Sequence, residues 1–329
     1  MADQQHDPAR FKDFYVHNLQ YKVAHQHKIL LSILVPKSLA TDGANIPTRR
    51  PLITTFHGGW LVGGSRLYSP WIAPWLLDLA LSRQAILIFP DYRLLPEATG
   101  LDILSDIDSF WSWVSENLES TLQFLYPQHG IKADLDRILV YGDSAGGYCV
   151  AQSLLRHPEM NFRAAIMAYP MVHFHDRYWS EKYDKPIFGT PNLPEAIVED
   201  HLKTITPTTV FSSDGDPDKV TTSTRMPLAL SIVQNGRFIE FLGCEPELYP
   251  IDLLPQAKKL PPFIWLFHGK QDSAVPFAQS EYFLEHLKKH APHTNIRFDT
   301  LVGEHGLGGE ERLSEEWIQR GIEGVSSAW

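Results

Sequence analysis

The chain has 329 residues, 43% of them apolar and 12% aromatic, enough to bury a sizeable core, and nothing in it reads as a disordered, collagenous or repeat protein. Its 39 acidic and 29 basic side chains give a formal charge of −10 without a long block of either sign, which argues against a nucleic-acid or anionic-membrane partner and for a small neutral one. Its two cysteines, Cys149 and Cys244, imply no disulfide framework.

Met1 to Arg10 is polar and acidic rather than basic and then apolar, so no secretory signal is expected and a cytoplasmic location is. No run approaches the ~18 apolar residues that span a bilayer. Strands are expected at Leu19–Ala24 and Lys28–Val35, paired antiparallel across the short gap His25 to His27, and then at Leu52–Phe56 and Ala85–Phe89 with a helix over Trp71–Ser82 between them. A helix follows at Ile103 to Leu118, where Ile103, Ile107, Phe110, Trp111, Val114 and Leu118 form one apolar stripe with acids on the other face. The strand Arg137–Tyr141 feeds a helix over Ala145–Arg156, and the strand Ala164–Tyr169 comes next. From Met171 to Gln256 the alternation breaks into proline-interrupted apolar pieces, which reads as an inserted lid. Strands Phe263–His268 and Ile296–Leu301 and helices Pro276–Lys289 and Arg312–Ile322 complete the chain. Val/Ile-rich runs alternating with helices predict an α/β fold whose sheet is mostly parallel, eight-stranded and covered by helices on both faces. The expected organisation is a lid element over 1–18, a catalytic domain over 19–170 and 257–329, and the inserted lid over 171–256 above the carboxyl edge of the sheet.

Gly142-Asp143-Ser144-Ala145-Gly146-Gly147 follows a strand and opens a helix, the pattern that lifts a serine hydroxyl above a sheet for nucleophilic attack. The flanking glycines suit a turn with no room for Cβ atoms. His57-Gly58-Gly59 follows another strand and can aim backbone N–H groups at the charge that develops on a carbonyl oxygen, so Gly58, Gly59 and Ala145 are the candidate oxyanion donors. In the chain order serine, acid, histidine, the base is His305 in Gly303-Glu304-His305-Gly306 and the orienting acid is Asp272 in His268-Gly269-Lys270-Gln271-Asp272. Asp143 is expected to bond within its own loop, and His268 and His57 to bond to backbone nearby. His286 and His290 lie four apart on a helix without a third ligand or a His-Glu-x-x-His pattern, so no metal is expected. The glycine loops lack the Gly-Lys-Ser/Thr of a phosphate cradle, so no nucleotide is expected either.

Taken together, His57-Gly58-Gly59, Asp91-Tyr92-Arg93-Leu94-Leu95-Pro96-Glu97, the Ser144 turn, Asp272 and His305 resemble the hormone-sensitive-lipase branch of the α/β-hydrolases. That branch includes many fungal carboxylesterases and the plant gibberellin receptors. The resemblance implies an α/β-hydrolase fold and hydrolysis of carboxylic esters through an acyl-enzyme, with no cofactor. Among fungal relatives it implies a tailoring role in secondary metabolism. The run from Asp91 to Glu97 is implied to hold the loops under the site. Two departures stand out: Trp60 where a third glycine is usual, and Tyr148 where an asparagine is usual. Trp60, Asp143 and Tyr148 are the candidate substrate contacts. The lid aromatics Phe174, Tyr178, Trp179, Tyr183, Phe188 and Phe211 suit a mostly apolar ester or a lid core of their own. Two other readings remain: a ligand receptor on the same scaffold, against which the presence of His305 argues, and an acyl-transfer or cyclisation catalyst that keeps water from the acyl-enzyme. The oligomeric state is not legible.

Overall fold

Short runs of Val, Ile and Leu with no polar face fit strands covered on both sides, and the computed structural model, which describes residues 8–41, 49–214 and 224–329, places all eight in one sheet. The strands are β1 (Phe14–Ala24), β2 (His27–Pro36), β3 (Arg49–Phe56), β4 (Ile86–Pro90), β5 (Lys132–Asp143), β6 (Phe162–Ala168), β7 (Phe263–Gly269) and β8 (Asn295–Leu301). Their spatial order is β1-β2-β4-β3-β5-β6-β7-β8. The pairs β1/β2 and β2/β4 are antiparallel and every other neighbouring pair is parallel. The first hairpin turns through His25 (φ 47°) and Gln26 (φ 68°), two successive left-handed residues that match the twist of the strands they join.

The helices are α1 (Pro74–Arg83), α2 (Gly100–Leu125), α3 (Ala145–Arg156), α4 (Arg177–Ser180), α5 (Ala196–Leu202), α6 (Met226–Gln234), α7 (Phe238–Leu242), α8 (Pro250–Leu253), α9 (Phe277–His290) and α10 (Glu316–Ala328). The sheet side chains alternate between two cores. Ile138, Val140, Ala165, Met167, Ile264 and Leu266 pack with α2, α3 and α9, whereas Leu139, Tyr141, Ala164, Ile166, Trp265 and Phe267 pack with α1 and α10. Period-2 alternation with apolar residues on both faces is what a sheet sandwiched between helices requires. Helix α2 starts at a capping box, where Thr99 accepts from the Asp102 amide and Asp102 accepts from the Thr99 amide, and its stripe continues through Leu122. No helix among the described residues is long and apolar enough to cross a membrane.

The N-terminal element corrects one expectation. Phe14 to Asn18 pair with Pro36 to Ser32 and so belong to β1, not to a lid element over 1–18. Backbone pairing to β2 places this edge strand, whose half-exposed side chains carry little apolar pattern. Of the rest of that element, residues 1–7 lie outside the described residues, and Pro8–Phe11 forms a single 3-10 turn.

Between β6 and β7 the described residues form the short helices α4 to α8 and two 3-10 turns, Pro246–Leu248 and Leu254–Gln256. Phe174, Trp179 and Phe238 pack against one another at this segment's centre. Lys185, with 3% of its surface exposed, ties the segment together by donating to the carbonyls of Tyr178, Glu181 and Val233. The aromatic side chains are continuous with the core on the α2 and α3 side of the sheet, which Phe174 reaches through Tyr148.

Candidate active site

Because β3, β5, β7 and β8 run parallel, the loops that leave their carboxyl ends converge at one edge of the sheet. His57-Gly58-Gly59 leaves β3, Ser144 leaves β5, Asp272 follows β7 and His305 follows β8.

Ser144 sits between β5 and α3 with φ 54° and ψ −117°, a region that L-residues seldom occupy, as expected of a side chain thrust out of a sharp turn. The turn is closed on both sides: the Ser144 amide donates to Ala168, and its carbonyl accepts from Gly147 and Met171. Only glycine fits beside it. A Cβ on Gly142 would stand 2.2 Å from the Gly146 carbonyl oxygen, and one on Gly146 would stand 2.1 Å from that of Phe56.

His305 Nδ1 lies 2.7 Å from Asp272 Oδ2. The second oxygen, Oδ1, accepts from the amides of Ala274 and Val275 at 2.8 Å each. Burial opposes the Asp272 charge, but His305 and the hydrogen bonds from His268 and His305 outweigh it and hold the carboxyl well below the usual range. The imidazole of His305 is walled by aromatic rings, with Tyr169 4.3 Å, Phe188 6.1 Å and Trp60 6.3 Å away between centroids.

Ser144, His305, Gly59, Trp60 and Asp143 line one cavity of about 240 Å³, together with Tyr169, Phe188, Met226, Pro70, Trp71, Gly306, Gly309 and Glu310. Among the described residues no hydrogen bond joins the Ser144 hydroxyl to the His305 ring, whose Nδ1 contact is with Asp272. Ala145 is the first residue of α3, so its N–H has no helical carbonyl to serve. Gly58 and Gly59 donate to none of the turn and loop carbonyls of the described residues. The Gly59 backbone (φ 108°) begins a left-handed path through Trp60 and Leu61, and a Cβ there would meet the Gly63 carbonyl at 2.3 Å.

The predicted substrate contacts divide. Trp60 and Asp143 reach the cavity, whereas Tyr148 does not line it: it is wholly buried on α3, edge-on to Phe174 at 5.3 Å. Burial raises the Asp143 carboxyl to about 7 against the opposing pull of His305. Among the lid aromatics only Phe188 lines the cavity. Phe174 and Trp179 are core, Tyr178 donates its hydroxyl to the carbonyls of Ser273 and Ala274, and Phe211 lies under the Arg225 guanidinium. His286 and His290 stack at 6.4 Å, and no group of three metal-ligating side chains forms among the described residues.

Beneath the site, Asp91 pairs with Arg66 at 2.5 Å, Arg93 with Asp106 at 2.9 Å and Glu97 with Arg225 at 2.6 Å, all buried. Arg225, at the start of α6, also donates to the carbonyls of Val62 and Leu95, so it joins α6 and Glu97 to the loop that follows β3. His57 stacks on Tyr92 at 4.3 Å and contacts the Gly58 carbonyl through Nδ1.

Sequence reasoning missed three contributors. Glu304 links the loops of Asp272 and His305 through Ser273, Met226 enters the cavity from α6, and His268 contacts Asp272 rather than backbone alone. Glu304 had one signal, its adjacency to His305; the other two depend on which elements meet in space.

The family profile for the alpha/beta hydrolase fold matches residues 53–216. A probable carboxylesterase, M8, of Phoma sp. is 35% identical over 327 residues, covering 98% of each chain. A second probable carboxylesterase, clz11 of Cochliobolus lunatus, is 34% identical over 197 residues, 58% of this chain and 86% of that one. The structure of esterase 2 of Thermogutta terrifontis superposes with a TM-score of 0.58 at 20% identity, over 96% of this chain and 94% of the other. With its sheet order, its serine turn and an end-to-end relationship at this identity, the chain belongs to the α/β-hydrolase family.

Proposed function

We propose that the chain hydrolyses carboxylic esters of small, mostly apolar molecules, with Ser144 as nucleophile, His305 as general acid and base, and Asp272 as the acid that orients it. The observation that carries this reading is the 2.7 Å contact between His305 and Asp272 at the sheet edge where Ser144 opens into the same cavity. Relatives described as probable carboxylesterases support it.

In this mechanism Nε2 of His305 takes the hydroxyl proton as Ser144 Oγ attacks the ester carbonyl. Asp272 fixes Nδ1 as the protonated nitrogen and stabilises the imidazolium that forms. The tetrahedral oxyanion is held by the N–H groups of Gly58, Gly59 and Ala145, where loss of one donor costs ~3–4 kcal/mol of transition-state stabilisation. His305 then returns the proton to the departing alcohol, and water repeats the sequence on the acyl-enzyme. No cofactor takes part.

The segment over 171–256 acts as a lid over the cavity, reaching it through Phe188 and Met226. Trp60 and Phe188, whose rings lie 6.2 Å apart, form an apolar wall beside His305, and Asp143 supplies a polar contact that is neutral at mildly acidic pH. A cavity of about 240 Å³ suits a small acyl or alcohol group. A series of p-nitrophenyl esters of increasing acyl length, with a fluorophosphonate label mapped to its residue, tests both the nucleophile and the pocket. Short esters are expected to turn over fastest and the label to fall on Ser144; labelling elsewhere contradicts the assignment.

A further inference from the structure

A second imidazole shares the carboxylate that faces His305. His268 near the end of β7 and Ser280 on α9 are both wholly buried. Nδ1 of His268 lies 2.7 Å from Ser280 Oγ, and its Nε2 lies 3.0 Å from both Asp272 Oδ2 and the Val275 carbonyl oxygen. An ionised carboxylate and a carbonyl only accept, so Nε2 carries a proton, and in the neutral ring Nδ1 then accepts from the Ser280 hydroxyl. One tautomer is thereby fixed from both ends.

Asp272 in turn is saturated. Oδ2 takes His305 and His268, Oδ1 takes the amides of Ala274 and Val275, and the carboxylate has no exposed surface. Four donors fill the lone-pair directions of one carboxylate.

We propose that His268 is a positioning residue for the hydrolysis: by donating to Asp272 Oδ2 it fixes the carboxylate against His305 and draws charge from the oxygen that His305 faces. The inference rests on the ester-hydrolase reading above. His268 touches no substrate and no bond forms or breaks at it. Other groups face the same pair: Asp143 from the Ser144 turn, Tyr169 after β6, Tyr178 from α4 and Glu304 beside His305. Of these only Tyr169 also touches His268, edge-on at 6.3 Å, so the glutamine variant, which keeps a side chain against Tyr169, separates the lost hydrogen bond from lost packing.

The test is steady-state turnover of p-nitrophenyl acetate between about pH 5 and 9 by wild type, His268→Leu, His268→Gln and Ser280→Ala. His268→Leu is expected to lose roughly 10- to 100-fold in kcat with KM within about twofold. The acid limb of its kcat profile should move to higher pH, by roughly half to one pH unit, because the Asp272 charge then acts on His305 alone. His268→Gln, whose amide N–H reaches the place of Nε2, should recover most of the rate. Ser280→Ala, which removes the hydroxyl that holds Nδ1 and lets the ring shift without emptying the site, should lose roughly two- to tenfold and serves if the leucine variant does not fold. A His268→Leu profile that overlays wild type, no recovery by glutamine, or an unchanged Ser280→Ala enzyme overturns the proposal. A wild type inert toward esters, and not labelled by fluorophosphonate, overturns the hydrolase reading instead and this inference with it.

Discussion

The Glu304 carboxylate joins the loops that carry Asp272 and His305: it accepts from the Ser273 amide at 2.6 Å and from the Ser273 hydroxyl at 2.8 Å, and it also takes the His305 amide. Ser273 Oγ in turn accepts from the Phe188 amide, so the acid loop, the histidine loop and the wall of the cavity meet at one side chain. Glu304→Ala should therefore loosen His305 and Phe188 together, lowering kcat/KM by roughly 5- to 30-fold, while its exposure keeps the loss of stability to about 1 kcal/mol. Steady-state kinetics with a parallel melt check this; equal activity would show that the loops hold without it.

Asp143 makes stability depend on pH in a definite direction. Burial raises its folded carboxyl to about 7, so the native state holds this proton more tightly than the unfolded chain does. That contribution is complete below the ordinary aspartate range, about 4, and fades as pH rises through 7. Asp143→Asn should melt close to wild type at pH 4 and above it at pH 8, by roughly 2–4 kcal/mol. Melting curves at the two pH values decide; a gap that closes toward pH 8 has the wrong sign.

Phe188 limits the cavity beside His305. Phe188→Ala opens space for longer acyl groups, so the ratio of p-nitrophenyl octanoate to p-nitrophenyl acetate kcat/KM should rise at least about fivefold. An unchanged ratio would place the acyl chain elsewhere.

Arg225 satisfies the buried Glu97 and two loop carbonyls. His201 also contacts Glu97, and with Arg225 it outweighs burial to hold that carboxyl below its usual range. Arg225→Ala strands the carboxylate and should cost roughly 3–5 kcal/mol, read as a lower denaturation midpoint. The paired change to Arg225→Ala with Glu97→Gln should recover part of it, since no buried charge is then left uncompensated.

Much of the fold was legible because buried parallel strands are written as apolar runs bounded by turn residues, and because the Ser144 turn, Asp272 and His305 follow strands whose order places their ends together. Helix α2 was legible from one stripe, though its first and last turns were not, since they depend on the Thr99 cap and on packing of Leu122. The start of β1 escaped notice because an edge strand is set by backbone pairing. Tyr148 was assigned to substrate and instead lies in the core: α3 is buried on nearly every side, so periodicity cannot say which face looks into the cavity. The roles of His268 and Glu304 arise from contacts across separate elements and carry no local sequence pattern.

The most direct measurement of the central claim is turnover of p-nitrophenyl acetate by Ser144→Ala beside wild type, with folding verified by melting. Loss of roughly 10⁴-fold or more in kcat from a variant that still melts cooperatively is the predicted result. Turnover near the wild-type rate would contradict it.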